Sequence, residues 1–185
     1  MNAYDFDKTI YKNDSTADFY LFCIKKHPMV FFSLFKTAFF AARYYVFKSG
    51  SKTRFKQGMY SFLKRIDAEA LAEEFWDKNA EGIKGFYLKQ QRHDDVIISA
   101  SPEFLLSPIC RRLNIKYLIA SRVNPKNGLY SGENCHGKEK VRRFYERFPC
   151  GKIEKFYSDS HSDDPLAQIA DESFLVKGEK LCPWD

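Results

Sequence analysis

A short apolar run opens the chain and stops at Asp5, after which the pattern of apolar and polar positions changes twice. Residues 2–7 read as a short strand. Residues 14–92 read as almost wholly helical, with breaks at Pro28, around Ser49–Ser51, near Asp67 and near Gly82–Gly85. From residue 94 onward the texture alternates. The Val-Ile-Ile run within Asp95–Ser101 predicts a buried strand, and Pro102–Leu113 predicts a helix opened by proline. Lys116–Ser121 reads as a strand, Val123–Gly132 has hairpin chemistry around Asn127–Gly128, and Gly137–Phe148 is a basic amphipathic helix. The last two strands fall in Glu154–Ser160 and Glu172–Gly178, with a short helix from about Pro165 to Ala170 between them.

Strand, helix, strand, helix, strand is the order of an open parallel sheet, whose ligand site lies at the carboxyl ends of the strands. The expected fold is therefore α/β, with a Rossmann-like three-layer parallel-sheet core built from residues 1–13 and 93–185. The helical block 14–92 is expected to be an all-helical cap, inserted after the first strand and lying over those strand ends.

Composition is compatible with that picture. A chain of 185 residues fits one domain carrying an inserted subdomain, and 44% hydrophobic with 17% aromatic residues supports a sizeable core and excludes a disordered chain. A formal net charge of +6 suits anionic partners, namely phosphoesters, nucleic acid or an acidic membrane surface. Five scattered cysteines without metal-type spacing read as reduced thiols of a cytoplasmic protein. The N-terminus runs straight into charged residues, so no signal peptide is expected.

The chemistry concentrates at strand ends and helix starts. Asp5 and Asp7 end the first strand, and strand residues two apart share a face. Two adjacent carboxylates repel and desolvate each other, and a bound cation relieves both effects. Ser99 follows the Val-Ile-Ile run, Lys138 and Lys140 open a helix, and the acidic loop Ser158–Asp164 follows a later strand. Together they supply oxygens for a divalent cation, a hydroxyl and an ammonium for a phosphate, and one carboxylate free to attack. Each piece alone has a plain structural reading, an acidic turn or a helix cap. Order and spacing make the set specific.

This set resembles the four motifs of the haloacid-dehalogenase-like phosphatases, with motif order matching along essentially the whole chain. The helical insert directly after the first motif resembles the phosphoserine-phosphatase-like subgroup. The stretch Tyr157–Leu166 is similar to that of bacterial phosphatidylglycerophosphate phosphatases. The resemblance implies that Asp5 attacks phosphorus and becomes an aspartyl phosphate, while Asp7 protonates the leaving oxygen and then activates water. It implies Mg²⁺ on Asp5, the Asp7 carbonyl and Asp159, with Thr9 supporting the loop near Asp7. An acid two residues after the nucleophile points to a phosphatase rather than a dehalogenase. Ser99 and the Ala100 amide would bind the phosphoryl group, with Ser101 read as the N-cap of the next helix. Comparison with phosphoserine phosphatases favours Lys138, and the G-x-x-K-V pattern of the lipid-phosphatase group favours Lys140. Both cannot face one phosphate, and Lys140 is preferred. Asp163 would assist the metal waters or the lysine, and Asp164 would cap the helix begun by Pro165. His136 and His161 are read as having no catalytic duty.

Asp14 stands where phosphoserine phosphatases carry a substrate-binding Glu, and its local chemistry also reads as a helix N-cap, which is preferred. Pro28–Phe47 has nearly the length of a bilayer span but is interrupted by Lys36 and Arg43. One reading is a cap helix with those two cations at its edge or facing substrate. The other is an interfacial helix that leads a lipid phosphate to Asp5, helped by the basic stretch Lys48–Gln57. The expected partners are thus a phosphomonoester and, on the second reading, an anionic membrane surface at the inner face. No nucleic-acid partner is expected.

Overall fold

The computed structural model describes residues 1–32 and 60–185. Among these residues six strands form one sheet in the order β3-β2-β1-β4-β5-β6. They are β1 (Ala3–Tyr4), β2 (Val96–Pro102), β3 (Tyr117–Ser121), β4 (Ile153–Ser158), β5 (Ala170–Lys177) and β6 (Lys180–Pro183). The first five are parallel and β6 returns antiparallel to β5. The chain leaves β1 for β2 and β3 on one side, then crosses back to β4 on the other. That reversal opens a crevice outside the carboxyl end of β1, the place where α/β sheets bind ligands.

The helices are α1 (Ser15–Lys26), α2 (Ala68–Asn79), α3 (Gly85–Gln90), α4 (Glu103–Arg112), α5 (Lys138–Arg147) and α6 (Asp164–Ala167). Asp14 and Asp67 cap α1 and α2, each accepting from a backbone N–H of the first turn. The sheet has two apolar faces because successive strand residues alternate. On one face Tyr4 stacks on Tyr157 with ring centroids 4.6 Å apart and meets Tyr87 of α3 edge-on at 5.0 Å. On the other, Ala3, Val96 and Phe156 pack with Phe144 of α5 and Leu166 of α6. The result is a three-layer α/β/α sandwich.

The regular elements described between α1 and β2 are all helices, in α or 3-10 form, and Ile83 makes an isolated bridge to Tyr11. Phe75 and Trp76 of α2 share one apolar cluster with Tyr4 and Ile97 of the sheet, and the Trp76 indole donates to the Leu105 carbonyl at 2.6 Å. The apolar core is therefore continuous across residue 93.

Several element bounds differ from expectation for identifiable reasons. β1 spans two residues rather than 2–7, because after Asp5 donates to the Tyr157 carbonyl the chain coils, with Lys8 at φ +58°. Its start is pinned on both sides, since Val96 N–H donates to the Asn2 carbonyl and Glu154 N–H to that of Met1, each at 2.9 Å. β6 was not predicted: four residues ending in proline give too short an alternation to read. Ser101 is not the cap of α4; that position is Pro102, without a side-chain cap. Asp164 lies inside α6, after an Asp163 N-cap. The expected hairpin is present, with Val123 bridged to Tyr130 and Gly128 at φ +73°. Of Pro28–Phe47, residues Pro28–Phe32 form a 3-10 turn, with Met29, Phe31 and Phe32 exposed. Lys36, Arg43 and Lys48–Gln57 lie outside the described residues. Among the described residues no helix is long and apolar enough to cross a membrane.

Candidate active site

The parallel sheet delivers its chemistry to one edge. Asp5 leaves the end of β1 and is buried, and the Lys140 ammonium donates to its Oδ1 at 2.7 Å. The same ammonium donates to Asp163 Oδ2 at 2.8 Å, and Ser158 Oγ donates to that oxygen from the end of β4, also at 2.8 Å. Lys140 is 2% exposed, whereas Lys138, two residues earlier on α5, faces solvent. Of the two candidates, Lys140, the one preferred from the sequence, turns into the cavity, and the helical period directs Lys138 outward.

The neighbours of Lys140 hold α5 in place. Gly137 precedes the helix with φ +57°, a conformation that glycine tolerates without strain. Glu139 is buried and accepts from Arg143 at 2.7 Å, while Arg143 also donates to the Ala120 and Glu133 carbonyls. Arg143 is therefore an internal strut of a helix that reads as basic and solvated.

Thr9 is fully buried and joins the two ends of the chain. Its hydroxyl donates to Asp5 Oδ2 at 3.4 Å and accepts from the Asp159 N–H at 2.9 Å. It supports Asp5 and Asp159 rather than the surroundings of Asp7, which corrects the expectation. The buried Lys84, not singled out from the sequence, donates to the Lys8 carbonyl and braces the turn between Asp5 and Thr9.

Asp7 lies outside any regular strand yet reaches the same cavity as Asp5. Its Oδ1 accepts from the Ser15 N–H at 2.7 Å and its Oδ2 from Ser101 Oγ at 2.5 Å. Ser99 is buried within β2, where its pairing with β3 is interrupted, and its Oγ accepts from the Ser101 N–H at 3.1 Å, leaving its own proton to donate. Asp5, Asp7, Ser99, Ala100, Lys140, Asp159 and Asp163 line one cavity of about 170 Å³. Asp14 reaches its wall while capping α1. Lys8, His136 and Ser162 complete the wall, so His136 is a cavity residue that its sequence neighbourhood did not reveal.

The electrostatics are unbalanced in one direction. Five carboxylates (Asp5, Asp7, Asp14, Asp159, Asp163) face two ammonium groups (Lys8, Lys140) in a chain whose formal net charge is +6. Burial pushes the Asp5 carboxyl above its ordinary value against the pull of Lys140, and burial also raises Asp7 against the hydrogen bonds from Ser101 and Ser15. Burial alone would lower the Lys140 ammonium, but Asp5 and Asp163 together outweigh it and keep the lysine charged. Asp159 is raised by burial too, against the pull of the Lys8 charge. Added positive charge would ease the entry of a phosphate dianion into such a site.

Among the described residues no three His, Cys, Asp or Glu side chains stand close enough to hold an ion by themselves. A cation here would rest on Asp5 and Asp159, with a backbone carbonyl and water filling its remaining positions. An all-oxygen set with retained waters fits a hard divalent ion that keeps part of its hydration.

Residues 3–168 match the haloacid dehalogenase-like hydrolase family, and the chain belongs to it. Among curated relatives it is 33% identical over 115 residues to protein CicA of Caulobacter vibrioides. The match covers 58% of this chain and 51% of CicA, about half of that relative's length. Among solved structures, a protein of unknown function from Bordetella pertussis Tohama I superposes with a TM-score of 0.74 at 19% identity, covering 94% of this chain and 87% of that one. A phosphoserine phosphohydrolase-like protein from Francisella tularensis subsp. tularensis SCHU S4 gives 0.58 at 16% identity, over 94% and 86% of the two chains. A substrate-bound phosphoserine phosphatase gives 0.54 at 13%, over 92% and 82%. At these identities the structural likenesses establish the shared fold.

Proposed function

We propose that the chain is a Mg²⁺-dependent phosphomonoester hydrolase that works through an aspartyl phosphate on Asp5. The observation that carries this reading is the convergence of Asp5, Asp7, Lys140 and Asp159 on one cavity at the carboxyl edge of the sheet. Family membership supports a hydrolase, and the phosphoserine phosphatases among the structural neighbours support a phosphatase. Bound magnesium would supply positive charge to the phosphoryl oxygens and relieve the repulsion among the acids. Asp5 attacks phosphorus with a carboxylate oxygen. Lys140 and Thr9 keep that carboxylate oriented, and Ser99 Oγ and the Ala100 N–H are sited to donate to the phosphoryl group. Asp7, raised by burial, carries a proton to the ester oxygen and later takes one from the attacking water. Asp163 holds Lys140. Hydrolysis of p-nitrophenyl phosphate by the wild type and its loss in Asp5→Asn test this reading. Phosphate binding without turnover would make the chain a silent binding module instead.

For the substrate we propose a phosphomonoester with an apolar or lipid portion, such as phosphatidylglycerophosphate. The support is the aromatic run from Pro28 to Phe47, with Met29, Phe31 and Phe32 exposed and Met29 lining a pocket with Lys26 and Arg65. On this reading residues 14–92 act as a helical cap, Lys36 and Arg43 meet the headgroup, and the protein works in the cytoplasm against the inner face of the membrane. A small polar ester is the competing reading, supported by Asp14 at the cavity wall. A screen of phosphomonoesters, together with flotation on anionic vesicles, separates them: failure to float and turnover of small esters alone remove the lipid proposal.

A further inference from the structure

We infer that Ser101, backed by Thr16, is a positioning residue that keeps the Asp7 carboxyl aimed in both of its protonation states. The inference rests on the reading of Asp7 as proton donor and acceptor, and it adds a residue pair that the four motifs do not include.

The geometry begins with a break in the sheet. Ile98 pairs with Ile119, but the next pairing is Pro102 with Ser121, so β2 spends two more residues than β3 over the same interval. The excess bulges β2 at Ser99–Ser101, and bulges re-aim side chains at the ends of strands. Ser101 is 4% exposed, and its hydroxyl reaches Asp7 Oδ2 at 2.5 Å. Behind it, Ser101 Oγ lies 3.0 Å from Thr16 Oγ1, and Thr16 Oγ1 lies 3.4 Å from the Tyr60 hydroxyl. Ser15 contributes a second hydroxyl, which donates to Ser101 Oγ at 3.3 Å.

The choice of hydroxyls has a chemical consequence. The Ser15 N–H that holds Asp7 Oδ1 can only donate, so it suits the carboxylate better than the acid. A serine hydroxyl donates to a carboxylate and accepts from a carboxylic acid. When Ser101 turns to accept from protonated Asp7, its own proton turns toward Thr16, which in turn can donate to Tyr60. The chain Asp7–Ser101–Thr16–Tyr60 therefore reverses direction without breaking. A carboxyl held at both oxygens keeps its plane, whereas one held only by Ser15 pivots about its Cβ–Cγ bond.

During capture, a bond forms from an Asp5 oxygen to phosphorus and the bond from phosphorus to the ester oxygen breaks. The electron pair stays on the ester oxygen, which takes the proton from Asp7. During release, water attacks phosphorus and gives its proton to Asp7, and the bond from Asp5 to phosphorus breaks. Mis-aiming of Asp7 in the first step harms only leaving groups that need that proton.

The test is kcat/KM for two esters, because this ratio reports the steps up to capture. One is an alkyl phosphate with a basic leaving group, the other 2,4-dinitrophenyl phosphate, whose leaving group departs unprotonated. Ser101→Ala should lose roughly 10- to 100-fold on the alkyl ester and less than about 3-fold on the dinitrophenyl ester, within the range of general acid catalysis. Thr16→Val, at the start of α1, should shift the two esters in the same sense by a smaller factor, and it answers the question should Ser101→Ala fail to fold. Equal losses on both esters, or no loss with either variant, overturn the inference while leaving the phosphatase reading intact. A wild type that cleaves neither ester removes that reading, and this one with it.

Discussion

Replacing Asp95 by Asn should stabilise the protein in neutral solution and leave it unchanged in acid. Asp95 precedes β2 at the end of the sheet opposite the site and is 1% exposed. Its Oδ2 accepts from the Arg92 N–H at 2.8 Å, but its Oδ1 has no partner, and the nearby Tyr87 hydroxyl and Asn2 Oδ1 are also buried without one. Burial is the main reason that its carboxyl is pushed up to about 6 from an ordinary 3.8, with Asp94 adding to the rise and Arg92 opposing it. A raised acid pKa means that the folded state holds its proton more tightly than the unfolded chain. Stability from this group is therefore complete below the unfolded value and is lost as pH rises from about 4 to about 6. At about 1.4 kcal/mol per unit, an ionised Asp95 costs about 2–3 kcal/mol above that window. Asparagine cannot ionise, keeps an oxygen for the Arg92 N–H and offers an amide to its unpartnered neighbours. Urea unfolding of both proteins from about pH 4 to about pH 8 should give a difference that grows through the window and then levels off. Equal stability at neutral pH, or a difference largest in acid, would refute the reasoning.

Other perturbations probe separate parts of the account. Lys140→Met leaves Asp5 and Asp163 facing each other in a buried site, so hydrolysis of p-nitrophenyl phosphate should disappear and denaturant unfolding should show a loss of about 3–5 kcal/mol. Gly128→Ala would drive a Cβ into the Tyr60 carbonyl oxygen at φ +73°, and a thermal melt should register a loss of at least about 1–3 kcal/mol. Removal of divalent ions by a chelator should abolish phosphatase activity, and Mg²⁺ should restore it; activity unchanged by exhaustive chelation would contradict the cation's place in the site.

Much of the core was readable because local signals agreed with tertiary need. The Val-Ile-Ile run became β2, Asp14 became the cap of α1, and the break expected near Asp67 became the start of α2. The site was legible where strand ends fixed it: Asp5, Ser99 and Asp163 all meet Lys140 or line its cavity. Ser101 was misread because the residue before a proline at a helix start looks like a cap. Its real role depends on a bulge set by pairing with β3, which no local window contains. Between Lys138 and Lys140 the helical period only separates the two; the preference for Lys140 came from the G-x-x-K-V resemblance, and packing is what turns Lys140 inward. Lys84 braces the Lys8 turn from a segment with no motif of its own, and no local pattern marks His136, beside the lysine helix, as facing the cavity.

The central claim is that Asp5 captures the phosphoryl group. It is tested most directly by rapidly quenching the protein during turnover of a phosphomonoester, digesting it in acid and weighing its peptides. The account predicts one added phosphoryl group on the peptide that holds Asp5, absent from Asp5→Asn. Sustained turnover with the phosphoryl group on another residue, or on none, would contradict it.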